Sequence, residues 1–305
     1  MDFDLNADQA ARLDALAALV PPVVAASSSG LPGEHDESLA GALAADEQLT
    51  GSQVPLLDRV LLVEEAARLG AGIHASACLL IAPLADVTLG SGPIAVTTEG
   101  STDPVRYGGI ATAVACVGPS GLRWGSVEPS ERHRTDSGLG SNYGVIETPN
   151  LRGVNWSGPI DPETLYRLGV AAEIAGAARA ALDHTAAYLT ERRAFGRPLS
   201  AFQALRHRMS ELAVDAAGAA ALVHRAAWLA DADSIASAVA YAAATAGAAP
   251  AELHQICGAR GFTNEFGLSR WTMLLEALRI ELGAGYATAA DYADARWPAT
   301  AGTAR

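Results

Sequence analysis

The chain has 305 residues, 50% of them hydrophobic and 18% charged, enough for a sizeable core and for two or three domains. Its net charge is −13 and every one of its 21 basic residues is arginine. That excludes a P-loop lysine and a Schiff-base lysine, and argues against duplex nucleic acid as a partner. The charge is uneven: residues 1–110 hold 15 acids and 4 Arg, and residues 111–305 hold 19 acids and 17 Arg. An anionic ligand would therefore be held in the second half. Cys78, Cys116 and Cys257 have neither metal-ligand spacing nor the density of a disulfide scaffold. The opening MDFDLNADQ lacks a basic-then-apolar leader, and no uncharged apolar stretch is long enough to span a bilayer. A reduced, cytoplasmic protein is expected, rich in alanine and so in closely packed helices.

In chain order, residues 1–90 read as a mainly helical domain. Leu13, Leu16, Ala17 and Val20 make one apolar face before Pro21–Pro22 stops the pattern. ASSSGLPGEHD (26–36) is a loop by composition, a helix is expected from about Pro55 to Gly70, and AGIHASACLLIAPLAD adds another. Residues 91–158 change character: PIAVTT, ATAVACVG, LRWGSV and YGVIET are short runs of β-formers separated by Gly, Pro and Ser, a small β domain. ERHRTD (131–136) reads as a charged loop facing water, and GLGSNYG (138–144) lacks the strand-then-helix context of a dinucleotide fingerprint.

From 159 to 305 the pattern is a helical bundle. Asp161–Pro162–Glu163 starts a helix that runs to about Glu191. Ser200 is expected to cap the next (201–230), Ser234 to cap a third ending near Cys257–Gly258, and a fourth runs from about Leu268 to Leu282 before Gly283. Four helices with short breaks describe an up-and-down bundle, followed by a frayed tail, WPATAGTAR. His74, His184, His207, His224 and His254 share no face, so no metal site is expected. Trp228 and Trp271 sit at apolar helical positions, read as core or interface.

Two stretches stand out. ERRAFGRPLSAFQ (191–203) joins an Arg pair, an aromatic, a Gly and a Gln across a helix break, and HQICGARGFT (254–263) ends a helix on Gly–Ala–Arg–Gly. Together they resemble the C-terminal bundle of the acyl-CoA dehydrogenase family, and MDFDLNADQ and LLVEEAARLGAG extend the likeness weakly toward the N-terminus. The resemblance implies a fold of three parts: an N-terminal helical domain, a middle β domain and a C-terminal four-helix bundle. It also implies FAD at a subunit interface. It assigns Arg192 to the flavin pyrophosphate, Phe195 and Gln203 to the nucleotide, and Gln255, Gly258 and Ala259 to the same dinucleotide, in a neighbouring subunit. The residue chemistry agrees, since Arg offers paired donors to phosphate and small residues let backbone come near it.

The chain departs from the family before residue 160. PIAVTTEGSTDPV, with Thr98, Glu99, Ser101 and Asp103, is a compressed remnant of the T-E-x-G-x-G-S-D type loop, and the following Trp–Ile–Thr type strand is not visible. The family's base is commonly a Glu in an E-G-T motif; here the stretch is RIELGAGY, and ungapped counting puts Leu282 at that position. Glu281, one residue off, is turned about 100° away on a helix. The alternative base position on the first bundle helix is Tyr166, and Glu173 lies two turns further on. Half a flavin site is retained and half lost. The pattern resembles the short, partly degenerate subunit of actinobacterial α₂β₂ steroid side-chain acyl-CoA dehydrogenases. That implies a partner subunit supplying the base and an acyl-CoA substrate. The alternatives are a self-sufficient homo-oligomer using Glu281 or Glu173, and a cofactor-free structural subunit.

Overall fold

The computed structural model describes residues 4–20, 34–85, 87–135, 142–147, 150–283 and 286–297, the side chains at 286, 287, 291, 294 and 295 excepted. The ASSSG stretch, most of GLGSNYG and the tail beyond 297 lie outside the described residues. The architecture is mainly α with a small β region.

The N-terminal part is helical, as its periodicity requires. α1 (Ala7–Leu19) opens on a capping box in which Asn6 and Gln9 exchange side-chain to backbone hydrogen bonds. Arg12 ties it to Asp58 at 2.6 Å, near the start of α4 (Leu56–Leu69). Between them lie the short α2 (Glu37–Ala45) and α3 (Glu47–Thr50), capped by Asp36 and Asp46. α4 stops where Gly70 takes φ +70°. The expected helix over AGIHASACLLIAPLAD is a π-helical turn, Ser76–Ile81, followed by a 3₁₀ turn, Ala82–Leu84, with Pro83 inside it. Its first amide, Ser76 N, donates to the carboxylate of Glu173, 97 residues away.

β1 (Ile94–Thr98), β2 (Ala113–Gly118) and β3 (Gly121–Ser126) fall on three of the four β-forming runs. β4 (Arg132–Arg134) pairs with β5 (Gly144–Ile146), and the two-residue β6 (Arg152–Gly153) completes a four-stranded sheet in the order β1-β2-β3-β6. β1 and β2 are parallel and the other pairs antiparallel. The ERHRTD reading is corrected here: 132–134 are a strand, and the Arg132 guanidinium donates to the carbonyls of Ile110 and Ala111. Ile94, Val96, Ala115, Val117 and Leu122 join the core shared with the bundle.

α5 (Pro162–Glu191) is the central rod. Asp161 accepts from Thr164 N, and the helix is buried on nearly all sides in its middle. A Cβ on Gly176 would meet the Glu64 carbonyl at 2.0 Å, so α4 and α5 touch backbone to backbone. A hairpin, β7 (Arg193–Ala194) and β8 (Arg197–Pro198), separates α5 from α6 (Gln203–Leu229). α7 (Ala232–Cys257), α8 (Ser269–Glu281) and α9 (Tyr286–Arg296) follow. α5 packs on α6, α7 and α8 as an up-and-down bundle. Two cap assignments change. Ser200 lies in a 3₁₀ turn, Leu199–Ala201, and α6 starts with no side-chain cap. Asp231, not Ser234, caps α7, accepting from both Ser234 N and Ser234 Oγ. The aspartate wins because its ionised side chain can accept both donors at once.

α6 is long and apolar enough to cross a membrane, and 33% of its most apolar 18-residue stretch is buried in the fold. Its inner side packs on α4, α5 and α7, while Val214 and Trp228 are 68% and 67% exposed.

Candidate functional site

Both distinctive sequence stretches lie at one end of the bundle. The break after α5 is a two-residue hairpin turn in which Phe195 and Gly196 both have positive φ, +51° and +79°. Glycine is at ease there and phenylalanine is not. The turn type matches the right-handed twist of its two short strands, and Leu199 N closes it by donating to the Arg192 carbonyl. The strained residue presents its ring outward: Phe195 is 94% exposed, edge-on to Phe202 at 6.3 Å. The Arg197 guanidinium stacks over Phe202 at 4.0 Å. Gln203 opens α6, one turn before His207, with the side-chain nitrogens 3.4 Å apart. The uncapped start of α6 leaves amide donors and the positive end of a 27-residue helix facing outward.

The second stretch caps α7. Gly258 adopts φ +62°, ψ −151°, and a Cβ there would meet nothing within 4 Å. Gln255, Gly258 and Ala259 are exposed. Phe262 is 73% exposed, stacked on His254 at 4.7 Å. Arg260 lies 6.0 Å from the ring of Tyr188 in the last turn of α5, which brings the two stretches to the same end. Arg192, Phe195, Gln203, Gln255, Gly258 and Ala259 are all exposed at this end of the bundle, with the rings of Phe195 and Phe262 open to solvent. This rim of the bundle suits a phosphate-bearing nucleotide: cation and amides for phosphate, ring faces for a base.

A second constellation is buried. Arg106, from the loop after β1, is 3% exposed and ion-pairs with two carboxylates. It donates to Glu173 at 2.6 and 3.1 Å and to Glu281 at 2.9 and 3.3 Å. Glu173 also accepts from Ser76 N and Ser76 Oγ. Tyr166 OH donates to Glu281 at 2.9 Å, and His74 lies against both Arg106 and Tyr166. Burial alone would raise the Glu173 carboxyl, but the Arg106 guanidinium and its hydrogen bonds overrule that and hold it at about 2. Burial, reinforced by Arg106, lowers His74 to about 3 and keeps it neutral. Glu281 is raised above its ordinary value, chiefly by burial; Arg106 opposes the shift and Glu173 adds to it.

The expectations for the base meet this cluster. Tyr166 and Glu281, at or beside the two positions where the family keeps its base, do converge. Glu281, the candidate base, is turned onto Arg106. Glu173, the other alternative base, is ion-paired with the same buried Arg106. Glu99 of the shortened loop is tied to the β2–β3 turn, accepting from Ser120 N, Ser120 Oγ and Arg123, while Ser101 and Asp103 bond one another. Arg106 escaped the sequence reading.

Residues 164–291 match the family described as acyl-CoA dehydrogenase, C-terminal domain. Among curated relatives, the probable acyl-CoA dehydrogenase YngJ of Bacillus subtilis is 37% identical over 124 residues, 39% of this chain and 32% of that protein. Acyl-CoA dehydrogenase IpdE2 of Mycolicibacterium smegmatis is 54% identical over 55 residues, 18% of each chain. The matched stretch thus spans a third or less of those relatives. Solved structures cover nearly the whole chain: one from the ChsE4-ChsE5 complex of Mycobacterium tuberculosis has a TM-score of 0.76 at 19% identity, covering 99% of this chain and 100% of that one. The FAD complex of PigA has a TM-score of 0.74 at 16% identity, covering 97% and 99%. The chain therefore has the acyl-CoA dehydrogenase-like fold, and its residues 164–291 are similar to the C-terminal domain of that family. Family and fold together support FAD as the cofactor.

Proposed function

We propose that this chain is one subunit of an FAD-dependent acyl-CoA dehydrogenase that forms a 2,3-enoyl-CoA with an unlike partner. In this reading it holds the pyrophosphate and adenine end of an interface flavin. Arg192 faces the pyrophosphate, Phe195 and Gln203 the nucleotide, and Gln255, Gly258 and Ala259 the same dinucleotide. The bound flavin supplies hydride-accepting chemistry at the substrate β carbon, and the partner supplies the carboxylate that takes the α proton. One observation carries the assignment: the nucleotide rim stands open, while the candidate base, Glu281, is bound to a buried arginine. Trp228 and Leu229, adjacent exposed hydrophobics at the end of α6, support a chain that packs against another. A solved neighbour described as the ChsE4-ChsE5 complex, and another as the Tcur3481-Tcur3483 steroid ACAD, support a heteromeric assembly and a bulky steroid side-chain thioester as substrate.

The test is purification of the chain alone and co-expressed with the product of its genomic neighbour, reading flavin absorbance and dye-coupled acyl-CoA oxidation. Yellow, active protein is expected only from the co-expressed complex. Activity from this chain alone would overturn the reading in favour of a self-sufficient homo-oligomer using Glu281, whose raised carboxyl and Tyr166 hydrogen bond are the features favouring that alternative. A yellow, active complex that retains its flavin fully in the Arg192→Ala variant would instead leave the chain a structural subunit.

A further inference from the structure

A furrow runs between α5 and α6 with a volume of about 490 Å³, a size typical of small-ligand sites. Its floor is apolar, and it exists because the facing residues are small. Ala186, Ala213 and Ala217 are too short to fill the space between two helices, while Leu182, Leu189 and Met209 supply apolar surface. On α6 the lining runs from Arg206 to Ala220, about 21 Å of helix.

The charges along the furrow leave one cation over. At the α4 end, the Glu64 carboxylate is paired with His224 at 2.5 Å, and on the wall Arg179 is paired with Asp183 at 3.1 Å. At the hairpin end, Thr190 and Ser210 turn their hydroxyls to the carbonyls of Ala186 and Arg206. The Arg206 side chain makes no ion pair or hydrogen bond among the described residues. It also stands in the first turn of α6, where the uncapped, positive helix end makes a cation unfavourable. An apolar trough thus ends on one uncompensated positive charge.

We infer that this furrow binds a long-chain carboxylate. The head lies on Arg206 beside the Ser200 hydroxyl, and the alkyl tail runs along the alanines toward Ala220. A single spare cation suits a monoanion, not the several charges of a nucleotide or a CoA ester. Removing the tail from water drives binding, and the ion pair fixes its direction. None of the residues assigned to the flavin lines the furrow, so the site stands whether or not this chain holds FAD.

The probe is dodecanoate, titrated calorimetrically into the delipidated full chain below its micelle-forming concentration. Dodecyltrimethylammonium, with the same tail and the opposite charge, is the comparison. One saturable dodecanoate site per chain is expected, with the cationic probe at least tenfold weaker. Arg206→Gln should weaken dodecanoate roughly tenfold, the worth of a charged hydrogen bond. Ala217→Leu fills the trough without touching the charge and should weaken it at least tenfold. Its melting temperature should hold, because position 217 is exposed and leucine is a good helix former.

Equal affinity for the two probes, or unchanged dodecanoate binding in Ala217→Leu, would overturn the site. Loss of partner association in Ala217→Leu would make the furrow a protein seat and overturn it too. So would attachment of the chain to phosphatidylglycerol vesicles without saturable dodecanoate binding, which would assign this face to a membrane. Flavin retention by the co-expressed complex should be unchanged in Ala217→Leu, so failure of this site and failure of the flavin assignment read out separately.

Discussion

The two arginine-bearing regions of this chain are built from similar residues and put to opposite uses. At the hairpin end, Arg192 and Arg197 stand among exposed aromatics, and a phenylalanine is held in a backbone conformation that disfavours it. At the seam, Arg106 is wrapped in carboxylates and tyrosines with its donors satisfied within the chain. An arginine whose donors are already taken has nothing left for a ligand. The surroundings, rather than the residue type, therefore separate a ligand site from a structural joint, and strain at Phe195 without a local gain in stability points to the first.

That contrast can be broken by substitution, and the largest effect belongs to the seam. Arg106→Ala leaves Glu173 and Glu281 buried without a counter-charge and should lower unfolding stability by about 3–5 kcal/mol in urea denaturation. A loss below about 1 kcal/mol would mean that water reaches the carboxylates and the seam is not dry. Next is the rim: Arg192→Ala should weaken flavin retention by the complex roughly 10- to 100-fold, the worth of a charged hydrogen bond, with the melting temperature of the apo-chain unchanged. Unchanged retention would show that the rim faces something other than the flavin phosphates.

A smaller effect is expected at Phe195. Phe195→Gly relieves the left-handed strain and should stabilise the chain by about 1 kcal/mol while flavin retention falls. Destabilisation would remove the argument from strain. The smallest effects are in pH dependence, where the seam's two carboxyls should behave oppositely. Glu173 is held at about 2, below its unfolded value of about 4.3, so it contributes stability above pH ~4.3 that is lost as pH falls toward 2. Glu281 is raised, so its contribution is present below pH ~4.3 and is lost as pH rises through its folded value. Urea midpoints should therefore show Glu281→Gln gaining on the wild type as pH rises above ~4.3, whereas the deficit of Glu173→Gln should shrink as pH falls from ~4.3 toward 2. Parallel curves for both variants would mean that the two carboxyls share one proton affinity.

The legibility of these regions differed for physical reasons. The exposure of the two stretches at the bundle end was readable because the residues of each lie close in sequence beside a helix end that glycines announce: Gly196 follows α5 and Gly258 ends α7. The bundle was readable from the same signals, apart from the caps at Ser200 and Ser234, where a neighbouring turn or aspartate took over. The strand at Arg132–Arg134 was missed because its charges masked an edge whose arginine serves backbone carbonyls. The seam was hidden because its hydrogen-bonded partners lie up to 175 residues apart and share no period. One trace of it was present: a lone Glu173 in the run GVAAEIAGAA, buried on every side, demands a counter-charge from somewhere.

The hairpin turn has one more consequence. With only Phe195 and Gly196 between β7 and β8, loop length and side-chain direction are the same variable. Adding or deleting a single residue would slip the pairing by one and send the ring to the opposite face. Sequences that perform the same task should therefore tolerate exchange of one aromatic for another at this tip far better than any change in its length.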